Sequence, residues 1–584
     1  MSPARWIGCL ILVLGVIQGA NAQPARAPDM SFLPVHKAAI GVTRKGTEIF
    51  VWLPRDLHKL EQESLRILII GGNDGSPAAV RYVESLAAVF QKMEEPKKRG
   101  DNGVYEIAFI PNVYPDGLPD GLTAADLSRG FPPTKGFYDN PARPEAAFLW
   151  RWTAMYGAHL VIDVRVGKQT GFWGDKKLLA DAVRAGLFGE PANEFLPDPA
   201  GDDFIRKLST VKVEDLPPTA SIIQQIPADY KLSEIPLWLV HYGAVAKSPA
   251  RAELLLRQSL KTEQIVSDLT AVYGRDLKQV AYIPALAVIG RVRAAENFRD
   301  QIETKKLTEL LEPFRIGQSN PIPKSGSEHA GHLIFAEMAK RSEGKDRERW
   351  IELCRAAADQ IFDKDGKPLK LMPSHNEMSD AVFMATPIIC ATGKLTGEQK
   401  YFDAAVTHFR SMKKLCLRED GLYRHSPLDE AAWGRGNGFP AMGLAWALSE
   451  FPEDHAAFPE LKKDFQNHIA ALLKHQDEFG CWHQVIDKPG SYREFSATCM
   501  IAWAIKRGLD RGWLDKETHQ GALDRAWIAA KQRIGPKGVV VDICTGTGKQ
   551  KSLRDYYDRP AIWGVDARGG AMALMLATEM MQAN

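Results

Sequence analysis

Residues 433–439 read Trp433-Gly434-Arg435-Gly436-Asn437-Gly438-Phe439 and lead directly into Pro440 and an apolar segment, Ala441 to Trp446. Glycine lets a backbone turn tightly and approach a neighbour closely. The Arg between the glycines can bind a carboxylate through two parallel hydrogen bonds, and the Asn can both donate and accept. This stretch alone leaves two interpretations open: a ligand pocket with aromatic walls, or a helix N-terminus entered through a glycine-rich turn.

The sequence around this stretch is helical from about Ser248 to the end of the chain. Apolar residues recur with helical spacing in twelve segments: Ala250 to Thr270, Leu277 to Ala294, Lys306 to Phe314, His329 to Arg341, Arg347 to Ile361, Asp380 to Ala391, Gln399 to Leu415, Pro440 to Phe451, Phe458 to Gln476, Phe495 to Arg511, Lys516 to Gln532 and Gly569 to Gln582. Twelve helices with few strands predict six antiparallel hairpins closed into a ring, an all-α (α/α)6 toroid over residues 248–584. An open helical solenoid is the alternative, which the lack of a repeated unit of about 34 or 40 residues disfavours.

Residues 30–246 have a different pattern, in which short β-rich runs alternate with helical segments. The predicted strands are Glu48 to Leu53, Leu65 to Ile70, Tyr105 to Ile110, Leu160 to Val164 and Leu237 to His241, and helices are predicted at Ala78 to Met93 and Pro144 to Met155. This rhythm predicts an α/β domain with a mainly parallel sheet covered by helices. The chain is therefore expected to be multidomain.

Residues 1–22 have the features of a secretory signal peptide. Arg5 supplies a positive charge, Trp6 to Ile17 an apolar core, and Ala20-Asn21-Ala22 a cleavage site. No segment is long and apolar enough to predict a membrane span. We therefore expect a secreted or periplasmic protein cleaved after Ala22.

Composition and cysteine spacing narrow the classes further. The formal net charge is +2, with basic and acidic residues interspersed, which does not favour a nucleic-acid partner. Six cysteines follow the signal peptide without CxxC or other metal-like spacing. Disulfides are permitted outside the cytoplasm, but Cys390 and Cys499 lie in apolar helical runs, where buried free thiols are favoured.

The first domain resembles the zinc carboxypeptidases along most of its length. The stretch from Leu68 to Pro77 resembles the segment in which that family has G-x-H-G-x-E after a strand. Asn112 to Gly117 resembles its N-P-D-G stretch, Asp126 to Pro132 its D-L-N-R-N-F-P, and Leu160 to Arg165 the strand that ends in D-L-H.

The metal ligands of that family do not carry over to this sequence. On this resemblance Asn73 replaces the first His, Ser76 the Glu and Arg165 the second His. Zinc needs nitrogen, sulfur or carboxylate ligands, and Arg165 would place a fixed positive charge at the ion. We therefore expect no metal here and a catalytically inactive domain, structural or glycan-binding, in which Arg129 could bind an anionic group or make a plain salt bridge.

The second domain resembles the unsaturated uronyl hydrolases of glycoside hydrolase families 88 and 105. Six short motifs follow that family's order: Asp380 to Pro387, Asp420 to His425, Trp433 to Phe439, Gln476 to Val485, Glu494 to Met500 and Val565 to Gly569. The resemblance implies a glycoside hydrolase that acts on oligosaccharides ending in 4,5-unsaturated uronic acid, the products of polysaccharide lyases. A general acid protonates C4, water adds at C5, and the hemiketal opens, so no cofactor is implied.

The same resemblance assigns Asp380 as the general acid. A carboxyl at a helix start is normally held ionised, so burial or a second carboxylate would have to raise its pKa. Relatives carry a second acidic residue before an earlier helix, where this chain reads Ser325 to His332, and Glu328 is the candidate there. The alternative for Asp380 is a helix N-cap.

The substrate-binding candidates come from the remaining motif residues. Arg435 is expected to bind the substrate carboxylate, and Trp433 and Phe439 to stack on the sugar ring, with core packing as the alternative. Phe439 stands where most relatives have Trp. The other candidates are His375, His425 and Asn437, for which a structural role is the alternative. Glu494, Ser496, Thr498 and Asp566 read equally well as loop-locking or capping residues.

Two other function classes remain open. One is another toroid enzyme, a polysaccharide lyase or a sugar epimerase, with Tyr423 and His425 in the proton-transfer roles and Arg435 as the neutraliser of the uronate. The other is a non-catalytic glycan-binding protein. The sequence determines neither the parent polysaccharide nor the oligomeric state.

Overall fold

The structure is a computed structural model that describes residues 36–53, 65–92, 105–118, 122, 129–133, 136–138, 143–174, 194–199, 201–230 and 248–581. The predicted signal peptide, the predicted strand Leu237 to His241, and residues 126–128 of the carboxypeptidase-like motif lie outside these ranges. The chain divides into two units: residues 1–134 with 142–254, and residues 135–141 with 255–584.

The strands of both units are numbered in chain order. They are β1 (His36–Val42), β2 (Glu48–Leu53), β3 (Leu65–Ile70), β4 (Tyr105–Ile110), β5 (Phe137–Tyr138), β6 (Leu160–Gly167), β7 (Gly171–Trp173), β8 (Glu194–Phe195), β9 (Ser221–Pro227), β10 (Val540–Cys544) and β11 (Ala561–Gly564).

The α-helices are numbered in the same way. They are α1 (Pro77–Lys92), α2 (Pro144–Tyr156), α3 (Phe204–Leu208), α4 (Pro249–Ser259), α5 (Thr262–Val272), α6 (Tyr282–Phe298), α7 (Gln301–Arg315), α8 (Gly326–Gly331), α9 (Leu333–Ala339), α10 (Gly344–Ala358), α11 (Ala381–Thr396), α12 (Gln399–Cys416), α13 (Gly434–Glu450), α14 (Phe458–Leu473), α15 (Phe495–Asp510), α16 (Lys516–Gln532), α17 (Leu553–Tyr557) and α18 (Ala567–Met580).

The first unit is built on an eight-stranded sheet in the order β1-β2-β4-β3-β6-β9-β7-β8. Its centre, from β4 to β9, is parallel, and β1, β2 and β7 add antiparallel pairs. Four of its seven strand pairs are parallel, as predicted, and the three antiparallel pairs make the sheet mixed. The reason for the antiparallel pair β1–β2 is local: β1 returns into β2 through the tight turn at Thr43–Thr47, and a short turn can join only antiparallel strands. Residues 67–70 of β3 are fully buried, as expected for a strand covered on both faces.

The second unit is helical, and its inner helices close into a ring. The inner positions are α6, then α8 with α9, then α11, α13, α15 and α18; each packs on the next, and α18 packs back on α6. Helices α5, α7, α10, α12, α14 and α16 pack outside them. This arrangement is the predicted six-hairpin ring. The predicted helices Ala250 to Thr270 and His329 to Arg341 are each broken into two.

Burial explains which helices lie inside. All residues from Phe495 to Gly508 of α15 are buried, and so are those from Gly434 to Leu448 of α13. A helix that is apolar on every side needs protein on every side. The outer helix α12 is amphipathic, with Phe402 and Phe409 buried and Arg410 exposed.

A small sheet in the second unit was absent from the sequence prediction. It has the order β10-β11-β5 and is antiparallel throughout. Residues 540–544 of β10 are all buried, so this strand forms part of the core beside α15. All six cysteines after the signal peptide are buried free thiols, Cys390 and Cys499 among them. Within the described ranges, no helix combines the length and the apolar character needed to cross a bilayer.

Gly443 lies where α13 packs closely against α11, so a substitution there tests the packing of the ring. A Cβ atom at this position would lie 2.8 Å from the Cα atom of Phe383 and 2.9 Å from the carbonyl oxygen of Val382. Because both neighbours are backbone atoms, Gly443→Ala forces the two helices apart. We expect it to lower the free energy of unfolding by about 1–3 kcal/mol, measured by urea denaturation.

The matched control is Gly521→Ala in the outer helix α16. Gly521 is exposed, and an added Cβ atom would meet only Arg525 Nη1, at 3.5 Å. Alanine favours helix, so this variant should gain about 0.5–1 kcal/mol. Equal stability of the two variants would contradict the close packing of α11 on α13.

Candidate active site

Asp380 lies at the start of the inner helix α11 and is 6% exposed. Its backbone is already helical, and its side chain makes no capping hydrogen bond. The N-cap alternative therefore does not describe this carboxylate. The segment before it is fixed by Ser379, whose backbone N–H donates to His425 O (2.9 Å) and whose hydroxyl donates to Gly436 O (2.6 Å).

His425 is the nearest partner of this carboxylate. Its Nε2 lies 3.4 Å from Asp380 Oδ1, a distance typical of an ion pair and long for a hydrogen bond. Its Nδ1 lies 2.9 Å from the hydroxyl of Tyr556. The ring packs against Trp433, with centroids 4.4 Å apart. His425 is completely buried, so both of its ring nitrogens face protein groups.

The charges around Asp380 favour its ionised form. Burial raises the pKa of this carboxyl, but His425, His375 and Arg435 outweigh burial, and the net pKa lies below the ordinary value. A general acid would need a raised pKa at this position. The structure differs because two imidazoles and a guanidinium lie near Asp380, and such neighbours stabilise a carboxylate.

The carboxylate of Glu328 is held by hydrogen bonds near the start of α8. Its Oε2 accepts from Lys324 N (2.6 Å), and Gln279 Nε2 donates to its Oε1 (3.4 Å). Ser325 Oγ in turn accepts from Glu328 N (3.3 Å) and caps α8. The pattern Ser-x-x-Glu is a helix N-terminal signal. The geometry therefore gives Glu328 a capping role.

The glycine-rich stretch 433–439 forms the first turns of α13, so the helix N-terminus interpretation describes its backbone. Its glycines make room for protein neighbours rather than for a ligand. A Cβ atom at Gly434 would lie 2.7 Å from His483 O, and one at Gly436 would lie 3.1 Å from Ser379 Oγ.

Arg435 is buried and its guanidinium is already bound within the protein. Nη1 donates to Cys544 O (2.6 Å) and Ser496 Oγ (3.2 Å), and Nη2 donates to Thr545 O (2.7 Å). Glu494 Oε1 lies 3.6 Å from Nη1. Both outer nitrogens hold the end of β10, whereas Nε has no hydrogen-bond partner among the described residues and Nη2 uses one of its two N–H groups. The predicted contact of Arg435 with a substrate carboxylate stays a prediction for this edge of the guanidinium.

Asn437 and Phe439 were predicted to contact substrate, but in the structure their contacts are with the protein itself. Asn437 Nδ2 donates to Tyr423 O (2.8 Å) and Trp433 O (3.0 Å), and its Oδ1 accepts from Tyr423 N (2.8 Å). This amide is fully used in fixing the loop before α13. Phe439 is 1% exposed and packs against Tyr282 and Phe383, with centroids 5.7 and 5.6 Å apart.

Several buried polar atoms in this region have no hydrogen-bond partner among the described residues. They are His375 Nε2, Asp380 Oδ1, His425 Nε2, Trp433 Nε1, Arg435 Nε and Gln484 Oε1. Buried polar groups are normally satisfied, and each exception calls for an explanation. Their concentration around Asp380 indicates a surface made to bind a polar molecule.

The segment from Cys544 to Pro560 joins these residues and was missed in the sequence. It binds Arg435 through Cys544 and Thr545, Gln484 through Tyr556 O (2.6 Å), and Glu377 through an ion pair with Lys549. The available signal was Thr545-Gly546-Thr547-Gly548 after an apolar run, which is typical of a turn between strands.

Capping explains Asp566 and Glu494. Asp566 accepts from Gly569 N (2.7 Å) and caps α18. Glu494 caps α15 and also accepts from Cys544 N (2.9 Å). Thr498 Oγ1 accepts from Trp482 N (3.0 Å). These residues fix loops around the site.

In the first unit, Asn73 and Arg165, two of the residues predicted to stand in place of zinc ligands, belong to one polar cluster. Asn73 Nδ2 donates to Asp163 Oδ2 (3.0 Å), and Arg165 binds both Asp163 (2.7 Å) and Asp203 (2.7 Å). Burial raises the pKa of Asp163 to about 6, although Arg165 opposes the shift. Among the residues that the structure describes, no group of three His, Cys, Asp or Glu side chains could hold a metal ion.

The role of Arg435 can be tested by Arg435→Lys. A lysine keeps the charge but cannot reproduce the planar fork onto two carbonyls. We expect the free energy of unfolding to fall by about 2–3 kcal/mol, measured by urea denaturation. Arg410→Lys is the control, because Arg410 makes an exposed ion pair with Glu460, where a change of less than about 0.5 kcal/mol is expected. If Arg435→Lys is as stable as the wild type but binds substrate more weakly, Arg435 acts mainly by binding the substrate carboxylate.

Comparison with known proteins identifies the family of the second unit. The chain is 28% identical over 199 residues to the unsaturated rhamnogalacturonyl hydrolase YesR of Bacillus subtilis, a match that spans 32% of this chain and 56% of that protein. It is 27% identical over 168 residues to an unsaturated 3S-rhamnoglycuronyl hydrolase of Formosa agariphila, covering 26% of this chain and 45% of that protein. A crystal structure of a possible member of the GH105 family from Salmonella enterica covers 56% of this chain and 94% of its own, with 22% identity and a TM-score of 0.47. Residues 278–584, more than half of the chain, match Glycosyl Hydrolase Family 88, and the chain belongs to that family.

Proposed function

We propose that this glycoside hydrolase removes 4,5-unsaturated uronic acid from the non-reducing ends of oligosaccharides released by polysaccharide lyases. The reaction is hydration of an enol ether. Asp380 gives a proton to C4, and water adds to C5 and loses a proton to the carboxylate. The resulting hemiketal opens and releases the remaining sugar. One carboxyl group that gives and regains a proton serves both steps.

The observation that carries this proposal is the group of unsatisfied buried polar atoms around Asp380. His375 Nε2, Trp433 Nε1 and Gln484 Oε1 each lack a hydrogen-bond partner among the described residues. A sugar acid presents hydroxyl and carboxylate oxygens that match such donors and acceptors. A binding surface of this kind fits a small polar substrate beside a titratable carboxyl.

The lowered pKa of Asp380 is compatible with the acid role once the substrate is considered. The groups that lower it are His425, His375 and Arg435. A uronate carboxylate that enters the same cluster adds a negative charge, which raises the pKa of a neighbouring carboxyl. Asp380 then takes up the proton only when the correct, negatively charged substrate is bound.

The lyase alternative is disfavoured by the position of Tyr423. This residue is 1% exposed, packs edge-on against His468, and has a pKa raised by burial. A lyase base must lose its proton at working pH and reach the substrate. Tyr423 satisfies neither requirement.

Asp380→Asn tests the catalytic assignment, because it keeps the shape of the side chain and removes its proton transfer. We expect kcat/KM to fall by about 10²–10⁴-fold. The assay follows loss of the ultraviolet absorbance of the C4=C5 double bond in lyase-digested polysaccharides. Gain of this absorbance on intact polysaccharide would identify a lyase instead.

Glu328→Gln is the matched control for the second acidic candidate. Glutamine retains an oxygen that can accept from Lys324 N, so the cap and nearly wild-type activity should be preserved. Full activity of Asp380→Asn would remove Asp380 from the mechanism. An inactive but folded Glu328→Gln would return Glu328 to it.

We further propose that the protein is exported and that its first unit is a metal-free relative of the zinc carboxypeptidases. The signal-like residues 1–22 support export, which the N-terminal sequence of the protein recovered outside the cytoplasm would test. The Asn73, Asp163, Arg165 and Asp203 cluster supports the metal-free relative, because a guanidinium fills the position of a zinc ligand.

Metal addition and removal test the second proposal. A metal ion that binds only the folded protein would raise the melting temperature. Because we propose that the first unit binds no metal, we expect neither a chelator nor added Zn²⁺ to change the melting temperature. Melting is followed by calorimetry with Mg²⁺ as the control ion. A rise specific to Zn²⁺ that Asp163→Asn abolishes would contradict a metal-free unit.

A further inference from the structure

Tyr556 is a buried residue of the short helix α17 with a defined place beside His425. Its hydroxyl lies 2.9 Å from His425 Nδ1, and the two rings meet edge to face with centroids 5.8 Å apart. Its own carbonyl accepts from Gln484 Nε2 (2.6 Å), which fixes the backbone at this point. The hydroxyl therefore reaches His425 from a rigid support.

The hydrogen bonds of this hydroxyl determine which ring nitrogen of His425 carries a proton. Gln550 N donates to Tyr556 Oη (3.4 Å), so this oxygen already accepts one hydrogen bond. Burial raises the pKa of Tyr556, so the hydroxyl keeps its own proton to donate. Donation to Nδ1 leaves the proton of neutral His425 on Nε2, which lies 3.4 Å from Asp380 Oδ1.

We propose that Tyr556 is a positioning residue that holds His425 in its Nε2–H tautomer and aims this N–H at Asp380; the catalytic consequence rests on the proposed function. In the free enzyme the N–H faces an ionised carboxylate. This N–H helps to hold Asp380 ionised until a substrate is bound.

No other side chain is placed to do this for Nδ1 among the contacts of the described residues. His425 lies between Trp433 on one face and Asp380 on the Nε2 side. The charged and titratable groups that interact with Asp380, His375 or Tyr556 are His425, Arg435, Cys416, Asp429 and Asp555. Among the described residues, the Tyr556 hydroxyl is the side-chain group within hydrogen-bond distance of His425 Nδ1.

The direct test is the tautomer of His425 in Tyr556→Phe, measured without substrate. Protein labelled with ¹⁵N in histidine distinguishes protonated from unprotonated ring nitrogens by chemical shift, and a His425→Gln sample assigns the signals. We expect the wild-type neutral ring to be protonated on Nε2. In Tyr556→Phe a mixture of both tautomers should appear, because Nδ1 has lost its donor.

The kinetic test is the pH profile of kcat/KM. Without the hydroxyl, part of the neutral His425 carries its proton on Nδ1 and offers no N–H to the Asp380 carboxylate, so the pKa of Asp380 rises. We expect the profile of Tyr556→Phe to move to higher pH by about one unit, the size of one hydrogen bond to a charged group. We also expect kcat/KM at neutral pH to fall by about 10–100-fold, because the pair is less well aligned.

Tyr492→Phe is the matched control. Its hydroxyl donates to Pro560 O (3.4 Å) in the same segment as Tyr556, whereas the hydroxyl that meets His425 Nδ1 belongs to Tyr556. We expect an unchanged tautomer and an unchanged pH profile in this variant. The assignment is overturned if Tyr556→Phe keeps the wild-type tautomer and profile, whatever its activity. If Asp380→Asn stays active, the proposed function fails, and the tautomer measurement still decides the role of Tyr556.

Discussion

The buried guanidinium of Arg435 is the interaction on which the candidate site depends. It joins the first turn of α13 to the end of β10 through Cys544 O and Thr545 O, and Glu494 lies beside it at the start of α15. A buried cation is tolerated only when its hydrogen bonds are made. These contacts therefore fix the segment after β10, which carries Tyr556, relative to the helices that carry the remaining site residues.

The glycines of α13 are the second feature on which the packing around the site depends. At Gly434 and Gly443 the neighbouring backbone lies where a Cβ atom would stand. Inner helices of a small ring must approach closely to leave no void, and interiors are packed to near crystal density. Glycine at these positions therefore serves the closure of the ring around Asp380 rather than contact with a ligand.

The charges of the site fit a substrate that brings its own negative charge. In the free protein, Arg435 and two histidines lower the pKa of Asp380, and His425 Nε2 lies 3.4 Å from its Oδ1. The negative charge of a uronate carboxylate would raise the pKa of Asp380. The proton donor would then form only on binding, and Tyr556 would hold the ring of His425 in place.

Local patterns in the sequence were sufficient for most helices of the second unit and for several strands of the first. The predicted strands Glu48 to Leu53, Leu65 to Ile70 and Tyr105 to Ile110 coincide with β2, β3 and β4. The helical spacing also gave the ring of the second unit. These features follow from periodicity and residue type, which neighbouring residues determine.

The tertiary structure decided the roles of Arg435, Asn437, Phe439 and Tyr556. Arg435 and its partner Cys544 are 109 residues apart, and His425 and Tyr556 are 131 apart. A sequence shows that an Arg can bind a carboxylate. It does not show that the carbonyls of two distant residues already bind both outer nitrogens of Arg435. Hydrogen bonds between distant residues form only when the fold brings their segments together and excludes water from them. The local sequence therefore determined the helices and strands. The tertiary structure determined which buried polar atoms keep no protein partner and remain for a substrate.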